Sequence, residues 1–134
     1  MRQSLIAFLS LMMAPRLMTL AFIGRAGGGG AGDPPAAWLM PLIGDAVIGF
    51  TALLATYAVL KLRGLAIWAA LLIWNALGAW DALAAFVVAQ SNPWPDFFML
   101  QIFGNSMFFG TATLHVILIY LLCRDPARRH FPTA

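Results

Sequence analysis

Hydrophobic residues in this chain form four long stretches, separated by short breaks that contain glycine, proline and charged residues. The stretches cover residues 5–23, 36–60, 65–90 and 97–123. A helix needs about 20 residues to cross the ~30 Å hydrocarbon core of a bilayer, and each stretch is near or above that length. The pattern predicts an all-α fold, an integral membrane bundle of four transmembrane helices that forms a single domain over residues 1–134.

The breaks between the stretches are short, so helices that follow one another in sequence are predicted to be antiparallel neighbours. Residues 61–64 are typical of a tight turn, and residues 91–96, with two prolines, are typical of a rigid one. Residues 24–35 contain six glycines before a pair of prolines, a composition that predicts a flexible connector.

The first stretch has a second interpretation. Arg2 followed by an apolar run resembles a secretory signal, with Gly24, Arg25 and Ala26 as a cleavage region. However, residues 5–23 are long enough for a full crossing. We therefore expect a retained helix.

Basic residues are distributed unevenly over the breaks. With four crossings, six of them share the side of both termini: Arg2, Lys61, Arg63, Arg124, Arg128 and Arg129. The opposite side has only Arg25. Such a bias places the basic side in the cytoplasm, so both termini are predicted to be cytoplasmic, in a bacterial inner membrane. In the basic tail, 124–134, we expect Arg124, Arg128 and Arg129 to contact anionic lipid headgroups.

Composition agrees with a membrane protein and argues against other classes. Hydrophobic residues make up 62% and charged residues 10% of the chain, against ~45–50% and ~25% in soluble domains. The pI of about 9.8 does not indicate nucleic-acid binding, because the basic residues lie at helix ends and not in one patch. Cys123 is the only cysteine, which excludes an intrachain disulfide.

Each stretch carries one polar residue near its middle. At ~1.5 Å per residue, Arg16, Asp45, Asn75 and Asn105 fall about 12–16 Å from the first residue of their stretches. We therefore predict a polar layer at the midplane of the membrane. Such residues are costly in hydrocarbon and are often functional. Arg16 and Asp45 have opposite charges and are expected to pair, either to fix helix register or as part of a binding or transport site.

Small and polar residues share one face of the second helix. Asp45, Gly49, Ala52 and Thr56 follow one another at intervals of four, three and four residues. Small residues allow helices to approach closely, so this face is expected to pack against another helix.

Three further polar residues are secondary candidates for a site: Asp81, Gln101 and His115. Counted from residue 65, Asp81 is ~24 Å from the inner face, which places it near outside water and away from His115. A hydrogen bond between helices is the simpler prediction for His115. Haem or chlorophyll ligation by His115 is an alternative hypothesis that needs a second ligand.

No catalytic motif or metal-ligand spacing stands out, so we expect neither an enzyme nor a cofactor, with a lipid-modifying enzyme as a remaining alternative. The main hypothesis is a non-catalytic accessory or structural subunit of a larger membrane assembly, or a homo-oligomer. The alternative is a small-solute or proton-coupled carrier or channel that uses the midplane layer. Membrane lipids, partner subunits or further copies of the chain are the expected partners.

Overall fold

The protein is described by a computed structural model that covers residues 2–124 and residue 131. The regular secondary structure of these residues is entirely helical, with no strand among them. The α-helices are α1 (Arg2–Leu11), α2 (Leu20–Ile23), α3 (Leu39–Lys61), α4 (Leu65–Ser91), α5 (Phe98–Phe103) and α6 (Ser106–Cys123). Two 3₁₀ helices, Ala14–Thr19 and Ala36–Trp38, precede α2 and α3.

The predicted all-α class and the four long apolar helices are confirmed. Four helical segments are long and apolar enough to cross a membrane: Gln3–Ile23, Ala36–Lys61, Leu65–Ser91 and Ser106–Cys123. Among them, α4 has 27 residues, more than the ~20 that a crossing requires.

The first segment changes its helical form in the middle. Pro15 has no backbone N–H and cannot continue the α-helical hydrogen-bond pattern. The 3₁₀ hydrogen-bond pattern begins before Pro15, where the Met13 N–H donates to the carbonyl of Ser10, three residues earlier, at 3.1 Å. The 3₁₀ helix Ala14–Thr19 follows, and it carries Arg16. The Thr19 hydroxyl lies 3.1 Å from the Leu42 carbonyl and fastens this helix to α3.

The fourth stretch is divided where we expect one continuous helix over residues 97–123. Gly104 has a φ of +53°, a backbone conformation that residues other than glycine rarely adopt. This residue ends α5. A new helix, α6, starts at Ser106. The long helix of this stretch is therefore shorter than predicted and begins nine residues later.

Three apolar clusters form the interior. One lies towards the end of α6 and includes Val59, Leu118, Leu122 and Phe131. Another lies towards the start of α6, where Trp38 and Trp94 pack against Phe108 with Leu42 and Ala85. A small third cluster joins the first segment to α3 through Met13, Ile48 and Ala52.

The expected packing of the small-residue face of α3 is observed. Ala52 is fully buried, and Gly49 lies against the backbone of Arg16 and Leu17. The Thr56 hydroxyl lies 3.5 Å from the Ala7 carbonyl of α1. This face of α3 therefore holds the first segment along its length.

Large apolar side chains also cover the outside. Phe50, Leu54 and Trp80 expose 63%, 62% and 72% of their surface. Water would disfavour a continuous surface of this kind, whereas lipid tails do not. Together with the four long apolar helices, this surface indicates an integral membrane protein.

Candidate functional site

Arg16 is the centre of a polar cluster inside the helices. Its Nε donates a hydrogen bond to Oδ1 of Asp45 at 2.5 Å. Its Nη2 lies 2.5 Å from Oδ1 of Asp45 and 2.5 Å from Oδ2 of Asp81. One guanidinium thus joins the 3₁₀ helix of the first segment to a carboxylate on α3 and another on α4.

The cluster continues from Arg16 to α6. Nη1 of Arg16 lies 3.0 Å from Nε2 of His115, and Nδ1 of His115 lies 3.0 Å from Oδ1 of Asn75. The Asn75 amide donates in turn to the Leu71 carbonyl at 2.8 Å. A guanidinium can only donate, so Nε2 must accept and Nδ1 must carry the proton. His115 is therefore neutral in this arrangement. We call these five residues, Arg16, Asp45, Asn75, Asp81 and His115, the Arg16 cluster.

Burial differs across the Arg16 cluster. Asn75 and His115 are 1% and 0% exposed. The side chains of Arg16 and Asp81 are 11% and 16% exposed, and that of Asp45 is 25% exposed. The neutral groups are therefore sealed inside, while the Asp45 carboxylate keeps part of its surface free.

The charge of the Arg16 cluster depends on the ionisation of its two aspartates. Two carboxylates face one guanidinium, and the imidazole beside them is neutral, so the formal charge is negative by one when both aspartates are ionised. An unpaired charge is unfavourable in a low-dielectric interior. A further positive charge next to the two ionised carboxylates would bring the formal charge of the cluster to zero.

Three glycines provide the space that the Arg16 cluster occupies. A Cβ on Gly78 would overlap the His115 ring, and one on Gly44 would overlap the Asp81 carboxylate. A Cβ on Gly49 would overlap the backbone at Leu17, next to Arg16. Trp74 supports the ring of His115 from another side, with the ring centroids 5.5 Å apart. The local sequence of α3 and α4 is therefore fitted to this arrangement of polar side chains.

A cavity of about 290 Å³ adjoins the Arg16 cluster. Arg16 and Asp45 form part of its wall, with the Thr19 and Thr111 side chains nearby. The rest is mainly aromatic and sulphur-containing, including Phe22, Phe97, Phe98, Phe108, Met18 and Met107. The cavity thus combines an apolar wall with a charged patch.

The structure brings together some of the predicted site residues and leaves others apart. Arg16, Asp45 and Asn75 belong to the Arg16 cluster, whereas Asn105 is exposed and accepts a hydrogen bond from Gln90 at 3.3 Å. Gln90 is one residue from the end of α4. The prediction places Asn105 eight residues into a helix that starts at residue 97, but α6 begins only at Ser106, so Asn105 lies at a helix end and not at mid-helix.

Asp81 and His115 meet the same guanidinium, although residue counting separates them. The predicted depth of Asp81 in the membrane is measured from residue 65 and assumes that α4 begins at the membrane boundary. With 27 residues, α4 exceeds the thickness of the hydrocarbon core. The long Arg16 side chain then reaches Asp81 with Nη2 and His115 with Nη1.

The other predicted residues lie away from the Arg16 cluster. Gln101 is exposed and donates to the Pro95 carbonyl at 2.8 Å. Arg124 is exposed, and its guanidinium lies over the Tyr120 ring at 5.2 Å. Arg128 and Arg129, the other two residues predicted at lipid headgroups, lie outside the described residues.

The geometry of the Arg16 cluster bears on the binding of a metal ion or a haem. Within residues 2–124 and 131, no group of three His, Cys, Asp or Glu side chains is placed to hold a metal ion. Both ring nitrogens of His115 are hydrogen-bonded, so ligation of a haem or chlorophyll through Nε2 would have to displace Arg16.

Sequence reasoning did not assign the glycines to the site. The sequence of α4 does contain a pattern that points to Gly78. Small, apolar and polar residues follow one another there at intervals of four and three: Leu71, Asn75, Gly78, Ala82 and Ala85. This spacing gives one buried face. A glycine on that face, one turn after the polar Asn75, indicates that a bulky group from another helix occupies the gap.

Compared with models of known protein families, with curated proteins and with solved structures, the chain matches none of them.

Proposed function

We propose that this chain is a non-catalytic, solute-binding membrane protein of the carrier type, and that the Arg16 cluster with its adjoining cavity is the binding site. The observation that supports this proposal is the position of the cluster on a cavity wall. Two carboxylates share one guanidinium there, and one of them, Asp45, is partly open to the cavity.

A purely structural ion pair would have a different form. Burying charge without full compensation destabilises a protein, so an ion pair that only fixes helix register is best with balanced charges and a closed surrounding. The Arg16 cluster instead has one carboxylate in excess and meets an open volume. Ligand pockets are typically apolar with a few placed polar groups, which matches this cavity.

The topology belongs to the same proposal. We place the four long helices across a bacterial inner membrane, antiparallel to their neighbours in sequence and with both termini in the cytoplasm. The six-to-one distribution of basic residues supports this orientation. Reporter fusions at the termini and after residue 30 would test it.

Water access to the cavity tests the proposed site directly. In a Cys123→Ser background, Thr111→Cys introduces one thiol at the cavity wall, and Leu77→Cys introduces a control thiol on the 58% exposed, outward-facing side of α4. Both variants are reconstituted into vesicles and treated with a small water-soluble methanethiosulfonate reagent. We expect Thr111→Cys to react at least tenfold faster than Leu77→Cys. Equal, slow reaction would mean a dry cavity and would contradict the proposal.

A role as an accessory or structural subunit is the second candidate, and the break between α5 and α6 favours it. Gly104, Asn105 and Ser106 are all exposed. Non-helical backbone is not stable against lipid tails, so this break lies either at the membrane surface or against another protein. Native mass spectrometry in mild detergent distinguishes these cases: a complex well above 14.5 kDa supports a partner or a homo-oligomer, and a monomer contradicts it.

A further inference from the structure

We infer that the solute of the cavity is a small lipophilic monocation, such as a substituted ammonium ion with an apolar body. This inference rests on the proposed function, because it assigns a ligand class to the same cavity. It is drawn from the charge of the Arg16 cluster, the composition of the cavity wall and the volume.

Charge selects against an anion. Among the described residues that line the cavity, the one guanidinium, that of Arg16, already donates to Asp45, Asp81 and His115. With both aspartates ionised, an added carboxylate or phosphate would therefore meet a group of net negative charge. A cation beside Asp45 would instead balance the excess carboxylate, and the 25% exposed Asp45 side chain is the part of the cluster that it can reach.

The apolar part of the wall also suits a cation. Phe22, Phe97, Phe98 and Phe108 line the cavity. The faces of aromatic rings attract ammonium groups, most strongly where water is excluded. Methionine side chains at the wall are polarizable and adapt to ligand shape. A substituted ammonium ion offers methyl or methylene groups to such a wall without needing many hydrogen bonds.

Volume limits the size of the ligand. A cavity of about 290 Å³ is at the small end of the ~300–1,000 Å³ range of ligand pockets. One aromatic ring or a short alkyl chain attached to an ammonium head fits this space.

The test compares two compounds of the same shape and different charge. Benzyltrimethylammonium and its neutral carbon isostere, neopentylbenzene, are titrated calorimetrically into the full-length protein in nanodiscs, and empty nanodiscs serve as the reference. We expect the cation to bind at least tenfold more tightly than the isostere. Asp45→Asn should weaken cation binding at least tenfold. Asp96→Asn, which removes an exposed carboxylate outside the cavity, should change it less than twofold.

A third variant separates this inference from the proposed function. Met18 lines the cavity but is 67% exposed, so Met18→Trp narrows the cavity from its open side without filling the buried interior. If both compounds bind equally and Met18→Trp weakens both, the cavity binds solutes but the cation inference is wrong. If neither compound binds although Thr111→Cys is labelled, the cation inference is also wrong. If Thr111→Cys is not labelled, the proposed function itself fails.

Discussion

Nη1 of Arg16 lies 3.0 Å from Nε2 of His115, a contact between residues 99 positions apart in sequence. It joins the first helical segment to the last, and it decides which ring nitrogen of His115 holds the proton. The same guanidinium contacts Asp45 and Asp81. All four long helical segments therefore meet at one side chain.

The tautomer of His115 follows from this contact. Arg16 can only donate and Asn75 accepts through Oδ1, so we predict a neutral ring with the proton on Nδ1 at neutral pH. ¹⁵N spectra of histidine-labelled protein in a His130→Gln background contain this single ring. A one-bond proton coupling at Nδ1 and none at Nε2 is expected. The opposite tautomer would mean that Arg16 does not contact His115.

Removal of the central cation should destabilise the helices strongly. Arg16→Met leaves two carboxylates without their partner, and breaking a buried ion pair in this way costs about 3–5 kcal/mol. Arg25→Met is the matched control, because Arg25 pairs with Asp33 at 2.6 Å but is 49% exposed. An exposed pair contributes about 0–1 kcal/mol. Unfolding by SDS titration in mixed micelles measures both free energies; equal losses would contradict a cluster centred on Arg16.

The space at Gly78 should be needed for His115. Gly78→Ala puts a methyl group into the ring of a fully buried side chain, and overpacking of this kind costs about 1–3 kcal/mol. Gly110→Ala on α6 is the control, because a Cβ there meets no atom within 4 Å. Alanine is the better helix former by up to about 1 kcal/mol, so the control should be neutral or stabilised. The same unfolding assay compares them, and a Gly78→Ala variant as stable as Gly110→Ala would be inconsistent with the described packing.

The long helices were predictable because hydrophobic length alone specifies a membrane-crossing segment. The exception is the fourth stretch, where composition does not show the break. Gly104 is one of several glycines in apolar surroundings, and only its backbone conformation divides α5 from α6.

The site was predictable only in part. The opposite charges of Arg16 and Asp45 predict a pair, and the structure has them in contact. The contacts of Asp81 and His115 with Arg16 depend on where the helices start relative to the membrane and on how far the Arg16 side chain extends. The positions of these residues in the sequence give neither quantity. The glycines opposite Asp81 and His115 become meaningful only when the facing helices are known.

The free energy of unfolding of Asp45→Asn tests the central claim most directly. If the second carboxylate is present for a solute, its neutralisation removes an excess charge, and Arg16 keeps Asp81 and His115 as partners. The account therefore predicts that Asp45→Asn stays within about 1 kcal/mol of the unsubstituted protein, the loss typical of one weakened hydrogen bond. A loss of about 3–5 kcal/mol would instead identify Arg16 and Asp45 as a structural ion pair and contradict the account.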